Sequence, residues 1–318
     1  MSKNVKYAIG IDIGGTFIKF GLVDSEGVIV KKLKKATHAN LGVDKVVKVM
    51  LEGIKELSAM NLKVKGIGIG SPGSVDSKEG TVETPPNFPE WGKVPLAKLI
   101  KNETGLETSI DNDANAAAIG ELVFGAGKKH KSFVFVTLGT GVGGGIILKN
   151  KIYRGEYGAA GEIGHVSIDM DGALCKCGSK GCIEAYIGNG PIVELAKQRL
   201  SDYPNSKIFE LMEYDFELLT PKVIGEASEL GDECAQSIVT TVGDKLGAAL
   251  ASVCNLLDVG VIIIGGGVSG FGSLLISSTQ KSVQSRVLKA ISPRIQVLSA
   301  KLKNDAGLLG AASLILGD

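Results

Sequence analysis

The sequence predicts an α/β protein made of two related lobes, and three observations carry the prediction. Strand patterns alternate with amphipathic helical patterns along the chain. A strand, a Gly-Thr turn and a second strand occur near residue 15 and again about 125 residues later, which implies an internal duplication. At 318 residues the chain is long enough for two domains of roughly 150 residues each.

The elements follow in order. Residues 5–12 alternate towards a buried strand, turn at Gly14-Gly15-Thr16 and resume over 17–23 as a β-hairpin. Gly27 turns the chain into a third strand over 28–33. A helix is predicted over 43–60, with Val43, Val46, Val47, Met50, Ile54 and Leu57 on one face. Residues 64–70 form a β-branched strand running into the loop Ser71-Pro72-Gly73. Residues 84–95 hold four prolines and the only Trp, the composition of an ordered loop, and Pro95 starts a helix to residue 104. The second half repeats the opening: a strand over 132–138, the turn Gly139-Thr140-Gly141, a strand over 144–148, and a turn at Asn150 into 152–154. Helices are predicted over 191–200 and 232–257, and a strand over 259–264 ends in Gly265-Gly266-Gly267. After a strand at 295–298, a closing helix over 305–316 carries Gly307 and Gly310, which permit close packing back onto the first lobe.

Composition narrows the function classes. Lys plus Arg number 35 against 34 Asp plus Glu, a net charge of +1, so no global field gathers nucleic acid or an anionic membrane, and neither is expected as a partner. Hydrophobic residues at 44% and charged residues at 22% describe a folding chain. Residues 1–15 are interrupted by Asp12 and lack a cleavage pattern, so no signal peptide is expected. The apolar stretch 246–268 is broken by Asn255 and Asp258 and reads as a buried helix followed by a strand rather than a membrane span. Five cysteines, three of them between Cys175 and Cys182, suit a metal or redox cluster in a reducing compartment, and the expected location is the cytoplasm.

Four motifs carry chemistry. In the first hairpin, Gly14 and Gly15 expose backbone N–H groups, Thr16 adds a hydroxyl and Lys19 a charge, which is the chemistry of a phosphate cradle. A Gly-Gly hairpin without a ligand is the structural alternative, but Asp12 at the strand end offers a carboxylate for Mg²⁺, directly or through water. Residues 139–144 match G-x-G-x-x-G, yet Ile146, Ile147 and Leu148 continue as strand instead of opening a helix, so this is no dinucleotide fingerprint; no P-loop motif occurs either. A nucleotide gripped between two lobes accounts for both hairpins and for the third cluster at Gly266 and Gly267. In Asp111-Asn112-Asp113, ahead of an Ala-rich helix, one side chain caps the helix or Asp113 serves as the base that takes a proton from a substrate hydroxyl. Finally, His165, Cys175, Cys177 and Cys182 lie within 18 residues and supply a Cys₃His set, the composition of a closed structural zinc site; a redox cluster is the alternative, though that chemistry prefers C-x-x-C. Cys234 and Cys254 read as small core residues, and His38 and His130 as surface residues.

These residues resemble the ROK family of bacterial sugar kinases, and within it the ATP-dependent glucokinases. The resemblance runs from Asp12 to the tail Asn304-Asp305-Ala306-Gly307 and is carried by the ordered combination of the first hairpin, Asn112-Asp113, residues 138–145, Glu162 to His165, and Cys175 to Glu184. It implies a two-domain actin-like, hexokinase-like (duplicated ribonuclease H-like) fold with ATP and sugar in a cleft between domains. It further implies phosphorylation of the 6-hydroxyl of a hexose, glucose foremost, with Asp113 as base and Asn112, Glu162, His165 and Glu184 on the sugar. Gly73 and Asn87 are further sugar contacts on the same resemblance. Gly14, Gly15, Thr16, Gly139, Thr140 and Gly141 would meet the phosphates, and Gly266 and Gly267 the adenosine. Zinc would order the sugar loop without touching the phosphoryl group. The motif order implies a small domain of residues 1–111 plus 301–318 and a large zinc-bearing domain of 112–300. The family also implies self-association as a dimer or tetramer. Its other members leave an N-acetylmannosamine kinase or a fructokinase as runners-up, although Pro86-Asn87-Phe88 and Glu90-Trp91 look more like the glucokinase loop. A sugar-sensing repressor would need a helix-turn-helix domain ahead of the first strand, for which about five residues leave no room. An actin-like ATPase would lack the sugar and zinc residues.

Overall fold

The computed structural model describes residues 5–317, which divide into two units. The first runs up to Lys131 and includes Gly145–Gly161 and the tail from Lys301; the second comprises Ser132–Gly144 and Glu162–Ala300.

In the first unit, alternation of Ile with Gly decides the packing. Its main sheet is built from β1 (Tyr7–Ile13), β2 (Phe17–Asp24), β3 (Ile29–Ala36), β4 (Val64–Ser71) and β8 (Glu107–Asn112), in the order β3-β2-β1-β4-β8. The ribbon β1-β2-β3 is antiparallel, whereas β1, β4 and β8 run parallel. Successive strand residues face opposite sides. Ile9, Ile11, Ile67 and Ile69 are fully buried in one core with Met50 and Ile54 of α1 (Gly42–Ser58) and Ile100 of α2 (Leu96–Thr104). The intervening glycines let a helix backbone rest directly on the sheet. A Cβ on Gly10 would lie 2.3 Å from the Leu308 carbonyl oxygen, and one on Gly68 only 1.7 Å from that of Ala311. That helix is the C-terminal one, Ala306–Leu316, so the tail does return to the first lobe. It also packs on α3 (Asp113–Val123), where Gly310 meets the Ala116 backbone. For this reason α3 and the segment after it belong to the first unit, and the division differs from the boundary expected at residue 111.

The remaining strands of this unit, β5 (Ser74–Asp76), β6 (Thr81–Glu83) and β7 (Lys93–Val94), form a small antiparallel sheet. Of these only β7 falls in the 84–95 stretch that the sequence reads as loop, and β5 and β6 carry no assignment there, because strands of two or three residues show no period. The sequence shows no strand at β8 either, where buried Asp111 interrupts the alternation.

The second main sheet joins β9 (Phe133–Leu138), β10 (Val142–Leu148), β11 (Lys151–Tyr153), β12 (Val261–Gly265) and β13 (Gln296–Ser299) in the order β11-β10-β9-β12-β13. This repeats the first order element for element, with β12 parallel to both β9 and β13, and it bears out the duplication. The helices of the second unit are α4 (Glu184–Ile187), α5 (Asn189–Leu200), α6 (Lys207–Leu211), α7 (Pro221–Glu229), α8 (Glu233–Leu257) and α9 (Gly272–Arg286), and the C-terminal helix of the first unit is α10 (Ala306–Leu316). The buried face of α9 includes Ser278, Thr279 and Ser282, the first and last of these against Gly243 and Gly247 of α8, so hydrophobic periodicity does not reveal it. Cys234 and Cys254 are buried in α8, as small core residues should be. His38 is exposed and His130 half-buried. Among the described residues no helix is long and apolar enough to cross a membrane.

Candidate active site

Three parallel strands of the first unit end together. Asp12 pairs in register with Gly70, Gly70 with Asp111, and Ser71 with Asn112, so these residues share the carboxyl edge of the sheet, where parallel sheets present their ligand-binding loops. The hairpin after Asp12 is closed by Gly14 N–H donating to the Phe17 carbonyl at 3.0 Å, leaving Gly15 and Thr16 exposed. Thr37, which no motif marks, braces it from outside: its hydroxyl donates to Gly14 O at 2.6 Å and its N–H to Thr16 O at 3.0 Å. Lys19 Nζ donates to Asp12 Oδ2 at 2.9 Å and to the Asn304 carbonyl at 3.4 Å, so here it neutralises the carboxylate and ties down the tail.

Asn87 stands beside the same turn, its Cβ 3.4 Å from where a Cβ on Gly15 would be. Gly73 has φ +90°, and a Cβ there would come within 2.6 Å of Pro85 Cα, so glycine is required. The Asn112 amide donates to the Gly73 carbonyl at 3.3 Å, while its Oδ1 accepts from Ala114 N–H at 2.9 Å and Asn115 N–H at 3.3 Å. Asn112 is therefore the helix cap. Asp113, half-buried, is the first residue of α3, where the helix dipole favours a carboxylate.

The second unit assembles the other predicted residues. Gly139 N–H donates to Gly141 O at 2.9 Å to close the turn before β10, and Asn189 N–H at the start of α5 donates to Gly139 O at 3.0 Å. Strand does continue after Gly141, as the rejection of a dinucleotide motif requires. Thr140 is exposed on this turn. Gly265 pairs with Thr137, and Gly266, at φ +84°, abuts Leu138, where a Cβ would sit 2.2 Å from the carbonyl oxygen. Gly267 is exposed beside it. Glu184 reaches the second turn: its Oε2 accepts from Val142 N–H at 2.9 Å and packs against Gly141.

His165, Cys175, Cys177 and Cys182 converge, their ligand atoms all within 4.8 Å of one another. Cys175 Sγ lies 3.7 Å from His165 Nδ1, and Cys177 Sγ 3.7 Å from Cys182 Sγ. A tetrahedron with Zn–S bonds of about 2.3 Å has edges of about 3.8 Å, so the donor set and its spacing fit zinc. The other ring nitrogen of His165, Nε2, lies 3.9 Å from Glu162 Oε2, so Glu162 and His165 come together beside this cluster. Burial pushes the Cys182 thiol up to about 12, and sharing protons with Cys177 and Cys175 adds to this, whereas the Ser179 N–H draws the exposed Cys177 thiol down. A cation would displace the proton that burial holds on Cys182.

The sequence profile of the ROK family matches residues 8–318. The chain belongs to the ROK family. It is 36% identical to the glucokinase of Thermotoga maritima, over 96% of each chain. A solved ROK family glucokinase from Streptomyces griseus, in complex with glucose and AMPPNP, is 39% identical and superimposes with a TM-score of 0.85, covering 98% of this chain and 100% of that one. The xylose repressor of Caldicellulosiruptor bescii is 29% identical over the whole of this chain and 80% of its own length. The fold is thus the two-domain hexokinase-like one, as expected.

Proposed function

We propose that this ROK protein is an ATP-dependent glucokinase that transfers the γ-phosphoryl group of ATP to the 6-hydroxyl of glucose. The observation carrying this reading is the likeness over nearly the full chain, at 39% identity, to a glucokinase solved with glucose and AMPPNP. The higher identity to glucokinases than to the xylose repressor favours a kinase over a sensor.

The chemistry assigned to this chain's own residues follows from their settings. Phosphoryl transfer requires positioning and charge stabilisation more than covalent help. Asp113 takes the proton of the 6-hydroxyl as its oxygen bonds to phosphorus, while the bond to the ADP oxygen breaks. Asn112 fixes the start of α3 and, with Gly73 and Asn87, shapes the sugar loop. Glu162, His165 and Glu184 bind sugar hydroxyls, and groups of this kind discriminate strongly because an unpaired buried polar group is costly. The Gly14 and Gly139 N–H groups close their own turns rather than standing free, so within these turns Gly15 and Thr16, and Thr140 and Gly141, are the residues that meet the phosphates, and Gly266 and Gly267 lie by the adenosine. Asp12, balanced by Lys19, would hold Mg²⁺, which supplies charge neutralisation on the phosphates. Zinc on His165, Cys175, Cys177 and Cys182 would be structural; binding through Nδ1 fixes the His165 tautomer and leaves Nε2–H as a donor. The reading places the protein in the cytoplasm as a dimer or tetramer, with no nucleic acid or membrane partner.

The test is phosphorylation of glucose, mannose, fructose, N-acetylglucosamine and N-acetylmannosamine with ATP, with polyphosphate as a competing donor. Selective turnover of glucose with ATP is expected. Preference for another sugar moves the substrate assignment, and no turnover with any of them overturns the kinase reading.

A further inference from the structure

Arginine is scarce in this chain: of 35 basic residues only Arg154, Arg199, Arg286 and Arg294 are Arg. Arg154 follows β11 and meets Asp111, whose side chain is 2% exposed. Asp111 Oδ2 accepts from Arg154 Nε at 3.0 Å and from Nη2 at 2.6 Å. Its Oδ1 accepts from Asn112 N–H at 2.9 Å and from Asn115 Nδ2 at 3.0 Å. We propose that Arg154 is a positioning residue for the base Asp113, acting through Asp111; the proposal rests on the kinase reading above.

The four bonds occupy both oxygens of the carboxylate and grip the residues on either side of Asp113. Asn112 precedes it and Asn115 follows two residues later, so the backbone that aims Asp113 is fixed from both directions. The anchor is external to that corner, because Arg154 continues β11, which pairs with Ile146, Ile147 and Leu148 of β10. Only a guanidinium can present two donors in a planar fork, and in a chain that otherwise uses lysine the fork stands where it is needed. Arg199 repeats the usage elsewhere, donating to Ser237 and Thr241 hydroxyls at 2.7 Å each. A misplacement of about 1 Å at a reacting group costs on the order of a hundredfold in rate.

The test compares R154M, R154K, R199M and D113N with the wild type in glucose phosphorylation, with glucose affinity by calorimetry and melting temperature as companions. R154M is expected to lose at least tenfold in kcat with glucose affinity within threefold of wild type, and R154K to recover part of the loss. R199M, which removes an arginine fork remote from this corner in sequence, should lower melting temperature while keeping kcat within twofold. Wild-type kcat in R154M, or a loss matched by R199M, overturns the proposal. Should R154M not fold, R154K decides alone: a three- to tenfold lower kcat supports the positioning role and an unchanged kcat refutes it. D113N that still turns over sinks the assignment of the base instead, so the two failures are distinct.

Discussion

Replacing Gly310 by Ala adds one methyl group where there is no room for it. The new Cβ would stand 1.6 Å from the Ala116 carbonyl oxygen, 2.4 Å from its carbon and 2.9 Å from Gly120 N. A carbon and an oxygen not bonded to each other approach to about 3.3 Å, so α10 and α3 must part by roughly 1.7 Å. Both obstacles are backbone, and no rotamer change relieves them. Overpacking of this kind costs about 3 kcal/mol at the upper end of its usual range. For a unit of this size each kcal/mol lowers Tm by roughly 2–4 °C, so a fall of about 6–12 °C is expected. Because α3 begins with Asp113, kcat should fall as well, more than glucose affinity. Gly190→Ala is the control, since a Cβ on this exposed residue of α5 meets nothing within 4 Å; it should melt at or slightly above the wild-type temperature. Differential scanning calorimetry of both variants makes the comparison. A G310A protein melting within a degree of wild type would refute the reasoning that these helices meet backbone to backbone.

Three more outcomes follow from the same structure. Glu121 is fully buried and accepts from Ala126 N–H at 2.6 Å and Leu302 N–H at 2.8 Å, so E121A should lose about 3 kcal/mol or more, measured by urea unfolding. One zinc per chain is expected by elemental analysis of the purified protein; chelation should make Cys177 the first thiol to react, while Cys234 and Cys254 stay silent until unfolding, read with a chromogenic thiol reagent. Burial raises those two thiols from 9.0 to about 11. The folded state therefore holds their protons more tightly than the unfolded chain does, so their contribution is complete below about pH 9 and is lost as pH rises towards 11, visible as declining stability in alkaline melts.

Much of this was legible in the sequence, and the exceptions have physical reasons. The strand, turn, strand repeats at Gly14 and Gly139 show themselves because hairpins need glycine and alternation locally. The Cys₃His set shows itself because coordination restricts ligand types. The choice between cap and base among Asp111, Asn112 and Asp113 could not be made from spacing; it took the hydrogen bonds of Asn112 to Ala114 and Asn115 to decide the cap. α9 stayed hidden because between Leu275 and Val283 its buried face is Ser278, Thr279 and Ser282 packed at glycines of α8, and Arg154 because its partner is 43 residues away. The boundary at residue 111 missed α3's attachment because that depends on Gly310 meeting Ala116, a contact between distant segments.

The central claim is that Asp113 drives transfer from ATP to glucose, and D113N tests it most directly. Glucose 6-phosphate formation should fall by at least a hundredfold, with glucose binding by calorimetry retained and Tm unchanged within a few degrees. Turnover by D113N near the wild-type rate would contradict the account.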